Sequence, residues 1–296
     1  MKSLSAHIPR QSVLDGTADF VVNLADLPSL SEDDAREFLD SNVLTSGMEI
    51  LLSQAFARLA GTGSSSGIYK LSESMGGGKT QSMIVAGILA RFPALSAVMP
   101  FREPLANAKP DVVAAFTGRA TDKKVWVSIG DALGITLSPD RAPSETEWRD
   151  VLKDRSALIL LDELAFYLVH AASQGSKEDG TRAATLAGIA LTNLFGAVRD
   201  YKECRKCVIV IADLQKDWEQ GAEELARIMR SNDTLGGTMQ SVNNEMSKGA
   251  QTVAPVDNSK DELYAILRRR LFKTMNASAK DVEAVADAYV AELKKA

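Results

Sequence analysis

The beginning of the chain alternates apolar and polar positions with the period of an α-helix. Residues 31–40 (SEDDAREFLD) predict a helix with Ser31 as its N-cap, because acidic side chains in the first turn are favoured by the helix dipole. Residues 46–60 predict a second helix, since their apolar side chains recur every three or four positions and Gly61 follows the last of them. The composition of residues 61–67 (GTGSSSG) is that of a flexible loop.

The middle of the chain predicts strands that alternate with helices. Residues 67–71 predict a short strand. Three further runs, at residues 112–116, 157–161 and 207–212, are apolar at successive positions, as strands covered by helices on both faces should be. Helical patterns at residues 81–91 and 184–200 lie between these runs. Such alternation predicts an α/β fold with a mostly parallel sheet, flanked by helices and connected by right-handed crossovers.

Two polar segments, residues 172–182 and 231–252, predict loops that are long enough to be functional. From residue 261 the pattern becomes helical again, and we expect a small C-terminal helical lid there. These observations predict three regions: an N-terminal helical segment at 1–60, an α/β core at 61–256 and the helical lid at 257–296.

The composition argues against nucleic-acid-coating, membrane-spanning and disulfide-rich proteins. The 296 residues are 45% hydrophobic, and 34 Lys+Arg against 39 Asp+Glu give a formal net charge of -5. An acidic chain is unsuited to coating nucleic acid, although a local basic patch remains compatible with that charge. No apolar run approaches the ~18 residues of a membrane span, and two cysteines build no disulfide framework. We therefore expect a cytoplasmic protein with no membrane contact.

A glycine-rich loop separates the first predicted strand from its helix. The sequence ESMGGGKT matches the end of the phosphate-binding pattern G-x-x-x-x-G-K-[ST], while Glu73 takes the place of the first glycine. Lys79 would reach the β- and γ-phosphates of a nucleotide, and the Thr80 hydroxyl would bind Mg²⁺. Consecutive glycines let backbone N–H groups surround an anion at the helix start. The predicted phosphate-binding residues are Gly76, Gly77, Gly78, Lys79, Thr80 and Gln81.

Two adjacent carboxylates follow the strand predicted at residues 157–161. At the carboxyl edge of a parallel sheet, Asp162 can reach the magnesium held by Thr80. Glu163 can orient and deprotonate a water for attack on the γ-phosphate. Acidic residues that start a helix are unremarkable by themselves, but beside a phosphate loop they predict a magnesium-dependent P-loop ATPase.

Three further features have more than one interpretation. Asp213 ends a predicted strand, where it is either a sensor of the γ-phosphate or a turn residue. Arg227 and Arg230 could supply an arginine finger to a neighbouring subunit of a homo-oligomer, but a solvated helix face with Glu223 as salt-bridge partner is favoured. The triplet at residues 268–270 could bind nucleic acid, sense nucleotide from the lid or form a charged helix face.

Several segments resemble the amino-terminal part of the domain-of-unknown-function family 499 ATPases; they are FVVNLADL (20–27), residues 37–61, SMGGGKTQSM (74–83), LILLDELAFYL (158–168) and ILRRRLF (266–272). The resemblance implies an AAA-like P-loop NTPase fold in which the strand of the catalytic glutamate lies between neighbours. It also implies a motor or switch in bacterial DNA modification or antiviral (anti-phage) defence, with DNA or an effector protein as partner. The functional positions that it carries over are Lys79, Thr80, Asp162 and Glu163.

Two other functions remain open at this stage. The chain could be a nucleotide-dependent protein interaction module with little turnover, since Glu73 departs from the phosphate-loop pattern. Phosphoryl transfer to a small molecule, as in a kinase, is less favoured because Glu163 suits water as the acceptor. Product analysis separates the enzymes: hydrolysis yields free phosphate, and a kinase yields a phosphorylated metabolite.

Overall fold

The computed structural model describes residues 8–9, 14–15, 22–63, 66–72, 78–119, 123–212, 233–257 and 261–274. The main feature of these residues is a five-stranded sheet in which all the paired strands run parallel. Helices pack on both of its faces, so the predicted α/β class is confirmed. A separate two-stranded antiparallel pair joins the two ends of the described chain.

The helices are α1 (Glu32–Asp40), α2 (Ser46–Ala60), α3 (Lys79–Arg91), α4 (Val125–Ala132), α5 (Glu145–Leu152), α6 (Leu164–Ser173), α7 (Lys177–Asp200), α8 (Asp233–Ser247) and α9 (Glu262–Leu271). The strands are β1 (Ile8–Pro9), β2 (Ile68–Leu71), β3 (Val112–Thr117), β4 (Ala157–Asp162), β5 (Cys207–Ala212), β6 (Ala250–Val253) and β7 (Phe272–Thr274). Across the part of the chain that the structure describes, no helix has the length and apolar character needed to cross a membrane.

The strand order in the main sheet is β3-β4-β5-β2-β6. Strand β4 therefore lies between β3 and β5, and β2 lies between β5 and β6. Because these strands are parallel, their carboxyl ends share one edge of the sheet. The loops that follow β2, β3 and β4 all start from that edge.

Two apolar layers enclose the sheet, and β4 contributes to both. Leu158 and Leu160 face the layer of α1, α2 and α3, whereas Ile159 and Leu161 face the layer of α4 to α8. Every residue of β4 and β5 is buried, which explains why both strands are apolar at successive positions. The helices that precede β2 thus form part of the packed core.

The two helices predicted near the start of the chain are confirmed. The Ser31 hydroxyl accepts a hydrogen bond from the Asp34 backbone N–H at 3.1 Å and caps α1. Helix α2 ends at Gly61, whose φ of 77° is left-handed. Helix α3 begins at Lys79, two positions before the predicted start.

The loop predicted at residues 172–182 is wrong over most of its length. Helix α6 continues to Ser173, and α7 already begins at Lys177. The Ser176 hydroxyl accepts a hydrogen bond from the Asp179 N–H, while the Asp179 carboxylate accepts one from the Ser176 N–H. This capping box starts a helix inside a polar sequence that composition alone assigns to a loop.

The loop predicted at residues 231–252 is also wrong, because it contains α8 and the start of β6. Helix α8 buries one apolar stripe among polar side chains, at Leu235, Met239, Val242 and Met246. The three- and four-residue spacing of this stripe was present in the sequence but was masked by the surrounding polar residues. Strand β6 was not predicted either, since only one of its four residues is buried.

Helix α9 lies in the region predicted as a lid. Arg269 donates from Nη2 to Asp40 Oδ1 at 2.8 Å and from Nε to the Asp40 carbonyl at 2.6 Å, at the end of α1. One member of the arginine triplet therefore makes an intramolecular contact, whereas Arg268 and Arg270 are exposed.

Candidate functional site

The helix of the predicted phosphate loop starts at the carboxyl edge of the sheet. Gly78 is the N-cap of α3 and has φ 80° and ψ 14°, a left-handed conformation that glycine adopts without strain. Every residue of α3 from 82 to 90 is buried, so the position of its first turn is fixed by the core. Gly76 and Gly77, together with Glu73, lie outside the described residues.

Asp162 and Thr80 are in direct contact. Thr80, in the first turn of α3, donates its hydroxyl proton to Asp162 Oδ2 at an Oγ1–Oδ2 distance of 2.5 Å. Asp162 ends β4 and has only 4% of its surface exposed. Two positions that were selected from separate motifs therefore meet across the edge of the sheet. Their oxygen atoms are ligands of the kind that a hard divalent cation prefers.

The Gln81 side chain is directed toward the N-terminal helices. Its Nε2 donates to Asn42 Oδ1 at 2.5 Å, just after the end of α1. The segment after β6 approaches the same turn of α3, because a side chain at Gly78 would come within 3.5 Å of Val256. The start of α3 is thus enclosed by α1 on one side and by the segment after β6 on another.

Glu163 has an unusual backbone conformation immediately before α6. Its φ of 53° and ψ of 33° are left-handed, which is costly for a residue with a side chain. The Glu163 N–H donates to Asp162 Oδ1 at 2.9 Å and so fixes the orientation of the Asp162 carboxylate. The two adjacent carboxylates are therefore linked through the backbone.

Both carboxylate oxygens of Glu163 bind residues at the end of β3. Oε2 accepts a hydrogen bond from the Thr117 hydroxyl at 2.9 Å. Oε1 forms an ion pair with Arg119, with an Nε–Oε1 distance of 2.6 Å. The Arg119 guanidinium also lies over the Phe166 ring, 4.7 Å from its centroid.

Gly118 permits this close approach of two chain segments. A Cβ atom at Gly118 would lie 1.9 Å from the Glu163 carbonyl oxygen, which is far inside van der Waals contact. The Gly118 N–H also donates to the Asp162 carbonyl at 2.9 Å. Sequence reasoning missed Thr117, Gly118 and Arg119. Their position directly after a predicted strand was visible in the sequence. That position indicates a place near Glu163 only when β3 is known to pair with β4.

A buried aromatic pair supports the first turn of α6. Tyr167 packs edge-on against Phe116, with ring centroids 5.1 Å apart and planes at 84°. Its hydroxyl oxygen accepts a hydrogen bond from the Val125 N–H at 3.0 Å. Burial raises the pKa of Tyr167, so this hydroxyl stays neutral at physiological pH.

The structure does not describe the position of the remaining predicted residues. Asp213, Arg227 and Arg230 lie outside the described residues. Within the ranges that the structure covers, no three His, Cys, Asp or Glu side chains converge to hold a metal by themselves. A magnesium ion bound with a nucleotide needs only one or two protein ligands, because phosphate and water oxygens complete its coordination.

The described geometry combines a helix N-terminus, an oxygen pair at Thr80 and Asp162, and a restrained carboxylate at Glu163. Comparisons with protein-family models, with characterised proteins and with solved structures find no match for this chain. The evidence for its function therefore comes from the residues themselves.

Proposed function

We propose that this chain is a P-loop ATPase that hydrolyses ATP with Mg²⁺. The observation that carries the proposal is the contact between Thr80 and Asp162. Asp162 ends β4, and Thr80 lies on the helix that follows β2; strand β5 lies between these two strands in the sheet. The two residues are 82 positions apart in sequence. A hydroxyl from a glycine-loop helix beside a strand-end carboxylate is the arrangement that binds magnesium on a nucleotide.

The roles of the residues follow from their positions. Gly76, Gly77 and Gly78 would bind the phosphates through backbone N–H groups, and Lys79 would offset their negative charge. Thr80 and Asp162 would exchange their mutual hydrogen bond for oxygen–magnesium contacts. Bound Mg²⁺ neutralises charge on the β- and γ-phosphates. Glu163 would accept the proton of the attacking water.

The strand order is compatible with the AAA-like arrangement that the family resemblance implies. Strand β4, which carries Asp162, has β3 and β5 as neighbours, as expected for the strand of the catalytic glutamate. We extend the proposal to a cytoplasmic motor or switch that acts with DNA or an effector protein in bacterial defence. The assignment is tested by measuring the ATPase rate with and without double- and single-stranded DNA, together with the mass of the complex formed with ATP.

Two substitutions test the ATPase assignment directly. Lys79→Ala should abolish ATP binding, because it removes the positive charge at the phosphates. Glu163→Gln should retain ATP binding and lower phosphate release by about 100-fold or more, the scale of lost general-base catalysis. Calorimetric titration with MgATP measures the binding, and release of inorganic phosphate measures the turnover.

Lys123→Ala provides the matched control, since Lys123 is an exposed lysine that pairs with Asp131 on α4. It should leave both measurements unchanged. Undiminished ATP binding by Lys79→Ala would overturn the phosphate-loop assignment. Undiminished hydrolysis by Glu163→Gln would remove Glu163 from the reaction and leave the binding site in place.

A nucleotide-dependent interaction module is the second candidate. The observation that favours it is the engagement of both Glu163 oxygens by Thr117 and Arg119. A carboxylate in this arrangement is directed toward β3 and does not activate water. Such a chain would hydrolyse ATP slowly and would act on a partner protein while ATP is bound. Tight ATP binding without measurable phosphate release, by the wild type and by variants that free Glu163, would favour this module over the enzyme.

A further inference from the structure

The only two cysteines of the chain lie three positions apart, at Cys204 and Cys207. Cys204 ends the short 3-10 helix Lys202–Cys204, and Cys207 begins β5. Residues 205 and 206 form a turn between them. The Cα atoms of the first and fourth residues of a β-turn lie within ~7 Å, and a disulfide bridges Cα atoms about 4.4–6.8 Å apart. The spacing and the turn therefore suit a bond between the two sulfur atoms.

Both thiols face the end of helix α5. Cys204 Sγ lies 4.0 Å from the Arg149 carbonyl oxygen, and Cys207 Sγ lies 3.8 Å from the Leu152 carbonyl oxygen. Each cysteine is a free thiol and is 0% exposed. Among the residues that the structure describes, no third His, Cys, Asp or Glu joins them to form a metal site. Metal binding therefore does not account for the pair.

The two thiols differ in how readily they ionise. Hydrogen bonding to Cys207 lowers the pKa of Cys204, and the positive charges of Arg58 and Arg149 act in the same direction, against the opposing effect of burial. The same hydrogen bond, together with burial, raises the pKa of Cys207. Because the thiolate is the nucleophile, Cys204 is the sulfur that reacts first with an oxidant.

We propose that Cys204 and Cys207 are an oxidation site at which hydrogen peroxide forms a reversible disulfide. The Cys204 thiolate attacks one peroxide oxygen, so that an S–O bond forms, the O–O bond breaks and the released hydroxide takes up a proton as water. The Cys207 thiol then gives up its proton and attacks the Cys204 sulfur. This step forms the S–S bond and breaks the S–O bond, and the second hydroxide leaves as water after protonation. Both thiols are oxidised, and the peroxide is reduced to water.

Peroxide reaches the pair through a small local opening. The cysteines lie beneath a surface segment in which Lys202, Glu203 and Arg205 are exposed. A single 3-10 turn at the surface opens at a lower free-energy cost than the core of the sheet. A small oxidant fits such an opening better than a bulky disulfide reagent does. The site is therefore suited to a peroxide.

The oxidation site lies at the edge of the sheet opposite to the proposed nucleotide site. Cys207 is the first residue of β5, whereas Thr80 and Asp162 meet at the carboxyl ends of the parallel strands. Arg58 donates from Nε to the Cys207 carbonyl at 2.8 Å and so fixes the start of β5. Disulfide formation therefore requires no nucleotide and is independent of ATP hydrolysis.

The test is peroxide treatment of the folded full chain. After treatment with hydrogen peroxide and an acid quench, the chain is unfolded, its free thiols are alkylated and its intact mass is measured. We expect a monomer that is about 2 Da lighter than the untreated chain and carries no alkyl group, because disulfide formation removes two hydrogen atoms. Reduction with dithiothreitol before alkylation should restore both free thiols.

Cys204→Ser and Cys207→Ser separate the roles of the two thiols. Each variant keeps one thiol, so neither can form the internal disulfide. Dimedone, which traps sulfenic acid, should label folded Cys207→Ser about 5-fold or more faster than folded Cys204→Ser, since the Cys207 thiol holds its proton. The same variants unfolded in urea are the matched control, in which the two labelling rates should become equal.

The mass of the wild type decides the outcome even where a variant fails to fold. Two free thiols after peroxide treatment would overturn the oxidation site, as would a disulfide between two chains. A sulfinic acid, which adds oxygen instead of removing hydrogen, would overturn it too. Equal labelling of the two folded variants would overturn the assignment of Cys204 as the attacking thiol. A lighter, unalkylated monomer supports the site whether or not the chain hydrolyses ATP.

Discussion

Glu163 combines a strained backbone with a fully engaged side chain. Its left-handed φ of 53° costs free energy that a glycine would not pay at this position. In return, the carboxylate reaches β3 and the Glu163 N–H reaches Asp162. Strain of this kind persists where the surrounding contacts over-determine the conformation, which is typical of functional sites.

The contact of Gly118 with Glu163 predicts a defect in both stability and turnover. Gly118→Ala would place a Cβ 1.9 Å from the Glu163 carbonyl oxygen, so one of the two backbones must move. We expect a loss of about 1–3 kcal/mol in the free energy of unfolding, as for other overpacked sites. Hydrolysis should fall while ATP binding remains. Urea unfolding and phosphate release measure the two effects.

Gly236→Ala is the control for this substitution. Gly236 lies within α8, and a Cβ there would meet nothing within 4 Å. It should raise the free energy of unfolding by about 0.5–1 kcal/mol through helix propensity. Equal effects of the two substitutions would contradict the close approach at Gly118.

Among individual residues, the sequence predicted a site only from residues that belong to local motifs. Thr80 and Asp162 were predicted to share a magnesium site, and the structure places their oxygens in contact. Thr117 and Arg119 were missed because their relevance depends on a pairing between β3 and β4 that no local pattern encodes. The conformation of Glu163 was missed for the same reason, since tertiary contacts impose it.

Helix α8 shows how composition can hide an element. Its polar sequence predicted a loop, yet Met239 is 2% exposed and Val242 is 1% exposed against α7 and its neighbours. An ion pair between Arg199 and Glu245, with an Nη1–Oε1 distance of 2.5 Å, also joins α8 to the end of α7. The spacing of the apolar residues, rather than their number, indicates the helix.

Paired substitutions on α8 test this correction. Met239→Ala should lower the free energy of unfolding by about 2–4 kcal/mol, because it leaves a cavity in the core. Gln240→Ala, at an exposed position on the same helix, should change it by less than about 0.5 kcal/mol. Chemical denaturation measures both values. A small effect at both positions would indicate that the segment is a loop.

For the whole molecule, the free energy of unfolding depends on pH in the acid range because several carboxylates are paired in the folded state. A hydrogen bond from Arg141 and, to a smaller extent, hydrogen bonds from Ser144 together lower the pKa of Glu147 from 4.5 to about 2. Hydrogen bonding to Arg199 lowers the pKa of Asp200, and bonds to Lys248 and Arg199 lower that of Glu245. Each group binds its proton less readily in the folded state than in the unfolded state.

These lowered pKa values make the folded state less stable in acid. A carboxyl with a lowered folded pKa stabilises the fold above its unfolded pKa and loses that contribution as pH falls through the folded value. The urea midpoint should therefore decline as pH falls from 4.5 to about 2. Glu147→Gln should flatten part of the decline. A midpoint that is independent of pH across this interval would contradict the assignment.

The main layers of the fold could be predicted because strand and helix patterns are local. The βαβ alternation predicted a parallel sheet, and β3, β4 and β5 end within one residue of the predicted ends. Strand order was not predictable, since it depends on which strands pack together. The pairing of β1 with β7 joins Ile8 to Thr274 and leaves no local pattern in the sequence.

The strand order has a consequence for synthesis on the ribosome. Strands β3 and β4 are consecutive in the chain and pair with each other, whereas the partners of β2 in the sheet are β5 and β6, which are translated much later. Until then Ile68, Tyr69 and Leu71 have no sheet partner, although all three are buried in the finished fold. A nascent chain in this state exposes an unpaired apolar edge, the kind of surface that chaperones recognise. Helix α3, which directly follows β2, can therefore reach its final position only late in translation.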